Sequence, residues 1–397
     1  MTISRRVQGI KPSPTITIST KAKSMKAEGI DVIGFGAGEP DFDTPDHIKK
    51  VAIKAVEDGF TKYTAAGGTD ELKDAVIGKF KRDNGLDYDR RNILISCGAK
   101  HCIYNLAQVL LDRGDEVIIP SPYWVSYPPI VTLADAVPII LETTEENGFE
   151  MDPDDLRRAI TKRTKALVLN SPSNPTGATY TESKLRAIAD IVVDKGIYVI
   201  SDEIYEKIVY DGFRHVSIAS LNEGVKERAI IVHGVSKTYA MTGWRIGYAA
   251  GPSSIIEAMN KIQGQSTSNP TSISQKASCE ALDGPQDIVD AMVAEFQKRR
   301  NYVIDRFNSM EGIPCVKPTG AFYAFPNFSN YLGKSFRGKH IRDSVDLADY
   351  LLDVARVAVV PGSAFGAEGF ERLSFATSME NIEEGMDRIE KAVKDLD

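Results

Sequence analysis

The feature that most constrains the fold is a regular alternation of short β-rich runs with longer helical patterns through the middle of the sequence. The β-rich runs are 92-NILIS-96, 115-DEVIIP-120, 165-KALVLN-170, 197-IYVISD-202 and 229-AIIVH-233. Helical periodicity separates them, as in 99-AKHCIYNLAQVLLD-112 and 181-TESKLRAIADIVVDK-195. Strands that are joined by helices form a mainly parallel sheet with helices on both faces. We therefore predict an α/β fold whose ligand site lies beyond the carboxyl ends of the strands.

The C-terminal part of the sequence has a different pattern. A long helical stretch at 285–310 precedes two apolar runs, 321-AFYAFP-326 and 356-RVAVVPG-362, and an amphipathic helix follows at 380–396. This order of elements is typical of a smaller α+β domain packed on the central one. We predict an N-terminal arm with part of the small domain at 1–45, a large domain at 46–290 and a small C-terminal domain at 291–397.

Composition and charge exclude several classes of partner. The 397 residues are 42% hydrophobic, carry a net charge of -7 and contain no dense basic block, so neither nucleic acid nor an anionic membrane is an expected partner. The four cysteines lack C-x-x-C spacing, which favours a reducing cytoplasm. The start, MTISRRVQGI, has no apolar signal-peptide core, and no stretch approaches the roughly 20 apolar residues of a membrane helix.

Four common site motifs are incomplete or missing. The fragment VSKT ends like the loop G-x-x-x-x-G-K-[ST], but Ile231 and Ser236 replace the glycines that would bind a nucleotide phosphate. GFGAG at 34–38 lacks the third glycine of a dinucleotide fingerprint, and Pro40 follows where a helix should open. The five histidines form neither H-E-x-x-H nor a cluster with cysteine, so no metal site is predicted. A G-x-S-x-G nucleophile motif is also missing.

Polar residues at the ends of the predicted strands remain to be explained. Lys237 follows an apolar run, Asp202 and Glu203 end another, and Asn174 lies in 170-NSPSNPTG-177. Taken singly they could be a surface lysine, a helix N-cap and a turn. Together they match the needs of pyridoxal phosphate: a lysine for a Schiff base, an acid for the pyridine nitrogen, donors for the ring hydroxyl and a phosphate cradle.

Residues 236–247, SKTYAMTGWRIG, match the pattern S-K-x-x-x-M-T-G-W-R-x-G. The sequence resembles the class I/II aminotransferases of the aspartate aminotransferase family, which are fold-type I pyridoxal phosphate enzymes. The resemblance covers nearly the whole chain through 36-GAGEPDFDTP-45, 61-TKYTAAGGTDELK-73, 120-PSPYWVSYP-128, 170-NSPSNPTG-177, 201-SDEIY-205 and 372-RLSFA-376. It implies a large domain with a mainly parallel seven-stranded sheet between helices, plus a smaller α+β domain.

The resemblance also implies which residues contact the cofactor. It makes Lys237 the Schiff-base lysine, Asp202 the partner of the pyridine nitrogen, and Asn174 and Tyr205 the donors to the ring hydroxyl oxygen. Trp124 resembles the aromatic side chain that stacks on the ring, although Trp124 and Tyr205 could each be ordinary core aromatics. The phosphate ligands would be Ser236, Arg245, the helix start at Gly98, Ala99 and Lys100, and Tyr63 of a neighbouring subunit, so a homodimer is expected.

The same resemblance assigns the substrate contacts. Arg372 matches the arginine that binds the α-carboxylate, with Gly38, Trp124 and Asn174 beside it. Lys100, Ser13 and Thr15 would meet a second carboxylate, so aspartate, glutamate and their 2-oxo acids are expected substrates. Prephenate is a further candidate, because some members with this Thr15 and Lys100 pairing accept it.

Three alternatives stay open at this point, and a fourth is disfavoured. Lys100 could be a surface lysine, and the enzyme could be an aminotransferase for aromatic or neutral amino acids. A lyase or an aminocyclopropane-carboxylate synthase on the same scaffold is another candidate. A DNA-binding regulator would need a helix-turn-helix extension or a basic patch, and the sequence has neither.

Overall fold

The structure is a computed structural model that describes residues 3–10 and 14–397. Its helices are α1 (Arg5–Gln8), α2 (Pro14–Ala27), α3 (Asp46–Glu57), α4 (Asp70–Asn84), α5 (Ala99–Leu110), α6 (Tyr127–Leu133), α7 (Pro153–Ala159), α8 (Glu182–Lys195), α9 (Glu223–Lys226), α10 (Ser253–Ser266), α11 (Ser272–Asp283), α12 (Asp287–Ser309), α13 (Ser344–Tyr350) and α14 (Met379–Lys394). Its strands are β1 (Ile33–Gly34), β2 (Ile93–Ser96), β3 (Glu116–Ser121), β4 (Val137–Glu142), β5 (Thr164–Asn170), β6 (Tyr198–Asp202), β7 (Ala229–Gly234), β8 (Gly247–Ala250), β9 (Tyr323–Ala324), β10 (Ser335–Phe336), β11 (Lys339–His340), β12 (Val357–Ala358), β13 (Val360–Pro361) and β14 (Glu371–Ser374).

The largest sheet within these described ranges has seven strands in the order β2-β8-β7-β6-β5-β3-β4. Its strands run parallel except β8, which pairs antiparallel with both β2 and β7. The predicted α/β fold with a mainly parallel seven-stranded sheet is therefore confirmed. The five β-rich runs of the sequence correspond to β2, β3, β5, β6 and β7, whereas β4 and β8 lie outside them.

Both faces of this sheet are buried, because alternate residues of each strand point to opposite sides. In β5, Leu167 and Leu169 belong to an apolar cluster with α4, α8 and α11, whereas Ala166 and Val168 belong to a second cluster with α5 and α10. A sheet covered on both faces leaves the ends of its strands as the open positions for a ligand.

A third apolar cluster lies among the C-terminal elements. It contains Phe296 of α12, Tyr323 of β9 and Phe375 after β14, and β9 pairs with β14 in a separate sheet of order β13-β14-β9. The N-terminal segment joins this region, because β1 pairs with β12. The helix α12 runs without interruption across residue 290. The domain boundaries at 45 and 290 stay a prediction.

Among the helices of the described residues, none has the length and apolar character needed to span a bilayer.

Candidate active site

A cavity of about 300 Å³ lies at the carboxyl ends of β5, β6 and β7. The predicted site residues that line it are Gly38, Ala99, Lys100, Trp124, Asn174, Asp202, Tyr205, Ser236, Lys237, Arg245 and Arg372. Gly98 is not in this lining, but it directly precedes the lining residue Ala99 at the start of α5. The fold thus brings together residues that are more than 300 positions apart in the sequence.

Among the described side chains, Tyr63 is a further predicted site residue that lies outside this cavity lining. Tyr63 is 90% exposed on the surface of the chain. The residue Ser13 lies outside the described residues, and the structure describes the backbone of Thr15 in α2 but not its side chain. The roles assigned to Tyr63, Ser13 and Thr15 therefore stay predictions.

Lys237 lies in the turn that follows β7, where its amine points into the cavity. Its Nζ donates a hydrogen bond to the carbonyl oxygen of Gly38 at 2.6 Å. Burial lowers the pKa of Lys237 to about 8; the carboxylate of Glu39 opposes this shift, and the cations Arg245 and Arg372 add to it. A substantial fraction of this amine is therefore neutral near pH 8, which a nucleophilic lysine requires.

Asp202 is the last residue of β6, and its carboxylate is buried. The hydroxyl of Tyr127 donates to Oδ2 at 2.8 Å, and the amide of Ile204 donates to Oδ1 at 3.3 Å. Burial raises the pKa of Asp202 to about 6, while the two hydrogen bonds favour the ionised form. The group can be anionic at neutral pH, and a nearby cation would stabilise that charge.

The start of α5 and the loop before β8 form a cationic, donor-rich corner of the cavity. Arg245 Nη2 donates to the carbonyl oxygen of Cys97 at 3.3 Å, and Nη1 donates to that of Thr242 at 2.9 Å. Gly98 has φ +93°, and a Cβ there would lie 2.4 Å from Arg245 Nη2. The positive φ favours a glycine here, and a side chain would also displace the guanidinium of Arg245. The first amides of a helix have no carbonyl partner within it, so this corner suits an anion.

Arg372 lies on β14, lines the cavity and is 2% exposed. Its guanidinium donates to Asn174 Oδ1 at 3.1 Å and to the carbonyl oxygen of Gly36 at 2.7 Å. Burial lowers its pKa, and its Nε has no hydrogen-bond partner among the described residues. An unpaired buried donor on a cation is suited to a carboxylate ligand.

Lys100 is the second residue of α5, and its Nζ lies 4.9 Å from the centre of the Trp124 ring. Burial lowers the pKa of Lys100, and Arg245 lowers it further. The cavity therefore has cations at two separate positions, Lys100 and Arg372, in addition to Arg245.

Comparison with known proteins identifies the family. Residues 30–389 match the family model of aminotransferases of class I and II. The chain is 51% identical over 391 residues to an aspartate aminotransferase of Geobacillus stearothermophilus, with 98% of each chain covered. It is 49% identical over 392 residues to an aspartate/prephenate aminotransferase of Nitrosomonas europaea, covering 98% of this chain and 99% of that one. The crystal structure of an aspartate aminotransferase from Rhizobium meliloti superposes with a TM-score of 0.96 at 46% identity, covering both chains fully.

The chain belongs to the class I and II aminotransferases. Enzymes of this family depend on pyridoxal phosphate, so this aminotransferase uses the same cofactor, as predicted from the sequence. The fold-type I assignment is also confirmed.

The cavity residues fit this cofactor on their own chemistry. A buried carboxylate, Asp202, suits a protonated ring nitrogen, and the helix start with Arg245 suits a phosphate group. Arg372 fixes the amide of Asn174 because a guanidinium only donates; Oδ1 therefore accepts from Arg372, and Nδ2 is left as a donor. The amine of Lys237 lies in the same cavity.

Sequence reasoning missed two tyrosines that line the aminotransferase cavity, Tyr127 and Tyr323. Tyr127 lies in the quoted motif 120-PSPYWVSYP-128, three positions after Trp124, and that placement was its only signal. Tyr323 lies in 321-AFYAFP-326, which reads as an ordinary buried strand. Their site contacts are set by tertiary packing.

Glu203 and Glu206, which follow β6 in the chain, belong to a buried network of polar and charged side chains. Lys79 Nζ is 2.5 Å from Glu206 Oε1, and His233 Nε2 is 3.5 Å from the same oxygen. Burial would raise the pKa of Glu206, but Lys79 and His233 outweigh it and hold that pKa well below its usual range. The nearby Glu203 pairs with His215 at 3.0 Å. Ligand-type atoms of Glu203, Glu206 and His215 lie within 4.8 Å of one another, but the Lys79 ion pair and hydrogen bonds already engage these groups.

Proposed function

We propose that this aminotransferase transfers the amino group between the dicarboxylic amino acids aspartate and glutamate and their 2-oxo acids. The observation that carries the proposal is the presence of two cations, Lys100 and Arg372, in the lining of one cavity, in addition to the residues assigned to the cofactor. Two cations can hold two carboxylates, and a guanidinium can bind one of them through parallel hydrogen bonds. The names of the relatives from Geobacillus stearothermophilus and Nitrosomonas europaea support this choice.

Each cofactor contact in this proposal is assigned to a residue of the cavity. Ser236, Arg245 and the backbone at Gly98, Ala99 and Lys100 would hold the phosphate. Asp202 would hold the pyridine nitrogen, and Trp124 would pack on the ring. Asn174 and Tyr205 would donate to the ring hydroxyl oxygen. When bound, pyridoxal phosphate supplies an aldehyde for the amino group and a ring that accepts electrons.

The chain's own residues orient the substrate and move its proton. Arg372 binds the α-carboxylate with the backbone of Gly38 nearby, and Lys100 binds the distal carboxylate. Lys237 takes the proton from the substrate α-carbon, because its lowered pKa leaves a neutral amine available. The negative charge of Asp202 favours a protonated ring nitrogen. These groups therefore divide substrate binding, proton transfer and charge stabilisation between them.

Prephenate is a second candidate acceptor, because it carries two carboxylates and because the relative from Nitrosomonas europaea is named for it.

The homodimer is proposed on the 90% exposure of Tyr63, which leaves that residue free to reach another subunit. A mass measurement in solution tests the homodimer: a monomer that binds the cofactor fully would contradict it. The cytoplasmic location stays a prediction from the cysteine pattern.

A matrix of amino donors and 2-oxo acceptors tests the substrate class. Lys100→Met keeps the apolar stem beside Trp124 but removes the charge, so kcat/KM for aspartate should fall by about 10- to 100-fold. The values for alanine and phenylalanine should change less than about threefold. Lys81→Met is the matched control, because Lys81 is an exposed lysine paired with Asp87.

Two outcomes would contradict the dicarboxylate proposal. One is that Lys100→Met lowers kcat/KM for all amino acids by the same factor. The other is that the unchanged enzyme turns over neutral or aromatic 2-oxo acids but neither oxaloacetate nor 2-oxoglutarate. Replacement of Arg372 by alanine should weaken the binding of every amino acid, because each one carries an α-carboxylate.

A further inference from the structure

Tyr323 is a fully buried tyrosine that lines the cavity between two residues of the proposed mechanism. It lies on β9, and its exposed fraction is 0%. Arg372 lies on one side of it and Tyr205 on the other. A tyrosine in this position has two separable contacts, one through its ring and one through its hydroxyl.

The ring of Tyr323 packs against the guanidinium of Arg372. The distance from Arg372 Cζ to the ring centre is 4.6 Å, and the ring of Phe365 lies 5.1 Å from the same atom. β9 and β14 are paired, with Tyr323 opposite Ser374, so the backbone holds both partners in place. Two aromatic rings therefore restrain the arginine that is proposed to bind the α-carboxylate.

The hydroxyl of Tyr323 forms a hydrogen bond with the hydroxyl of Tyr205, with the two oxygens 2.8 Å apart. Either oxygen could donate by geometry alone. Tyr205 has a single hydroxyl proton, and the proposed function directs that proton to the ring hydroxyl oxygen of the cofactor. The oxygen of Tyr205 is then left to accept, so Tyr323 is the donor of the pair. Burial raises the pKa of both tyrosines, which keeps both hydroxyls protonated.

We propose that Tyr323 is a positioning residue whose hydroxyl donates to Tyr205, so that Tyr205 directs its own proton into the cavity, while the ring of Tyr323 holds Arg372. The proposal rests on the proposed function for the contact that Tyr205 makes with the cofactor. A hydroxyl that accepts one hydrogen bond becomes a stronger donor of another, because hydrogen bonds in a chain polarise one another. Tyr323 thus connects the carboxylate-binding arginine to the tyrosine proposed to contact the cofactor ring.

The loop that carries Gly38 also contacts this tyrosine. A Cβ at Gly38 would lie 3.0 Å from the hydroxyl oxygen of Tyr323 and 4.0 Å from the ring carbon that bears it. The carbonyl oxygen of Gly38 accepts the hydrogen bond from Lys237. The hydroxyl of Tyr323 therefore limits what can occupy position 38, beside the proposed catalytic amine.

The decisive variant is Tyr323→Phe, which keeps the ring under Arg372 and removes only the donor to Tyr205. The readout is the pH titration of cofactor absorbance in the loaded enzyme. A hydrogen bond to the ionised ring hydroxyl lowers the pH midpoint of this titration. Loss of the Tyr323 donor weakens that bond, so we expect the midpoint to rise by about half a pH unit. If Tyr205 instead donated to Tyr323, the same variant would lower the midpoint.

A second variant separates the role of the ring from that of the hydroxyl. Tyr323→Phe should leave KM for the amino acid within about twofold, because the ring contact with Arg372 remains. Tyr323→Leu removes the ring and should raise KM by about 5- to 30-fold. Tyr210→Phe is the matched control, since Tyr210 is a buried tyrosine with Arg300 Cζ 4.6 Å from its ring centre and a hydroxyl bonded to the carbonyl oxygen of Ala321.

Double variants test whether Tyr323 acts through Tyr205. Tyr205→Phe should raise the absorbance midpoint, and adding Tyr323→Phe should then change it no further. Gly38→Ala should lower the amino-acid affinity, and Tyr323→Phe should restore part of it by removing the hydroxyl that the new methyl group meets.

The proposal is overturned if Tyr323→Phe leaves the midpoint unchanged or lowers it, or if the effects of Tyr205→Phe and Tyr323→Phe add. Both results are readable in an enzyme that still binds its cofactor and transfers amino groups. Failure of the proposed function would appear differently, as a Tyr205→Phe variant whose titration matches that of the unchanged protein.

Discussion

The neutral fraction of the Lys237 amine predicts how fast the cofactor attaches at different pH values. With a pKa of about 8, about a quarter of the amine is neutral at pH 7.5, whereas an ordinary lysine with a pKa of about 10.4 is about 0.1% neutral. Because only the neutral amine attacks an aldehyde, Lys237 should react about 200-fold more often than an unperturbed lysine at that pH. The attachment rate should rise with pH and level off above about pH 8.

The assay is stopped-flow absorbance after mixing cofactor-free protein with pyridoxal phosphate between pH 6.5 and 9.5. An Nα-acetylated lysine amide, whose only amine is the side-chain amine, gives the reference profile in solution; its rate should increase about tenfold per pH unit across this range. Glu39→Gln provides a perturbation with a defined sign, because the charge of Glu39 raises the pKa of Lys237. Its rate profile should level off at a lower pH than that of the unchanged protein.

The reasoning is refuted if the attachment rate keeps rising tenfold per pH unit up to pH 9.5, since that profile belongs to an ordinary lysine. It is also refuted if Glu39→Gln moves the levelling-off point to higher pH. Lys237→Ala is the control for attachment at any other amine.

Two further predictions concern the surroundings of the site. Tyr127→Phe removes a hydrogen bond to the buried carboxylate of Asp202, which should lower kcat by about tenfold and leave KM for the amino acid within about twofold; an unchanged kcat in steady-state kinetics would show that this bond does not matter. Lys79→Met leaves Glu206 as an unpaired buried charge and should lower the free energy of unfolding by about 3 to 5 kcal/mol in urea titrations; adding Glu206→Gln should recover part of that loss, and no recovery would disprove the pairing argument.

The sequence predicted the central sheet well, because strands buried on both faces must be continuous apolar runs. β7 is buried at every position and was recognisable as AIIVH. The strand β4 was not predicted, because it is an edge strand with partly exposed residues and a proline, VPIILE. The strand β8 is only GYAA, four residues without a β-branched side chain. Its pairing between β2 and β7 depends on contacts that are distant in sequence.

The residues of the candidate site also differ in how well the sequence predicts them. Lys237 and Asp202 were recognisable because charged residues beside apolar runs need an explanation. Arg372 was recognisable only because 372-RLSFA-376 resembles a motif of the family. The contacts of Tyr127 and Tyr323 were not, because a tyrosine near apolar residues usually belongs to the core. Tyr63 is 90% exposed, so its predicted role requires a second subunit.

The most direct test of the central claim is borohydride reduction of the cofactor-loaded enzyme, followed by mass mapping of its peptides. The account predicts a stable pyridoxyl adduct on the peptide that contains Lys237, and none on that peptide in Lys237→Ala. An adduct confined to another lysine, or a folded protein that takes up no pyridoxal phosphate, would contradict it.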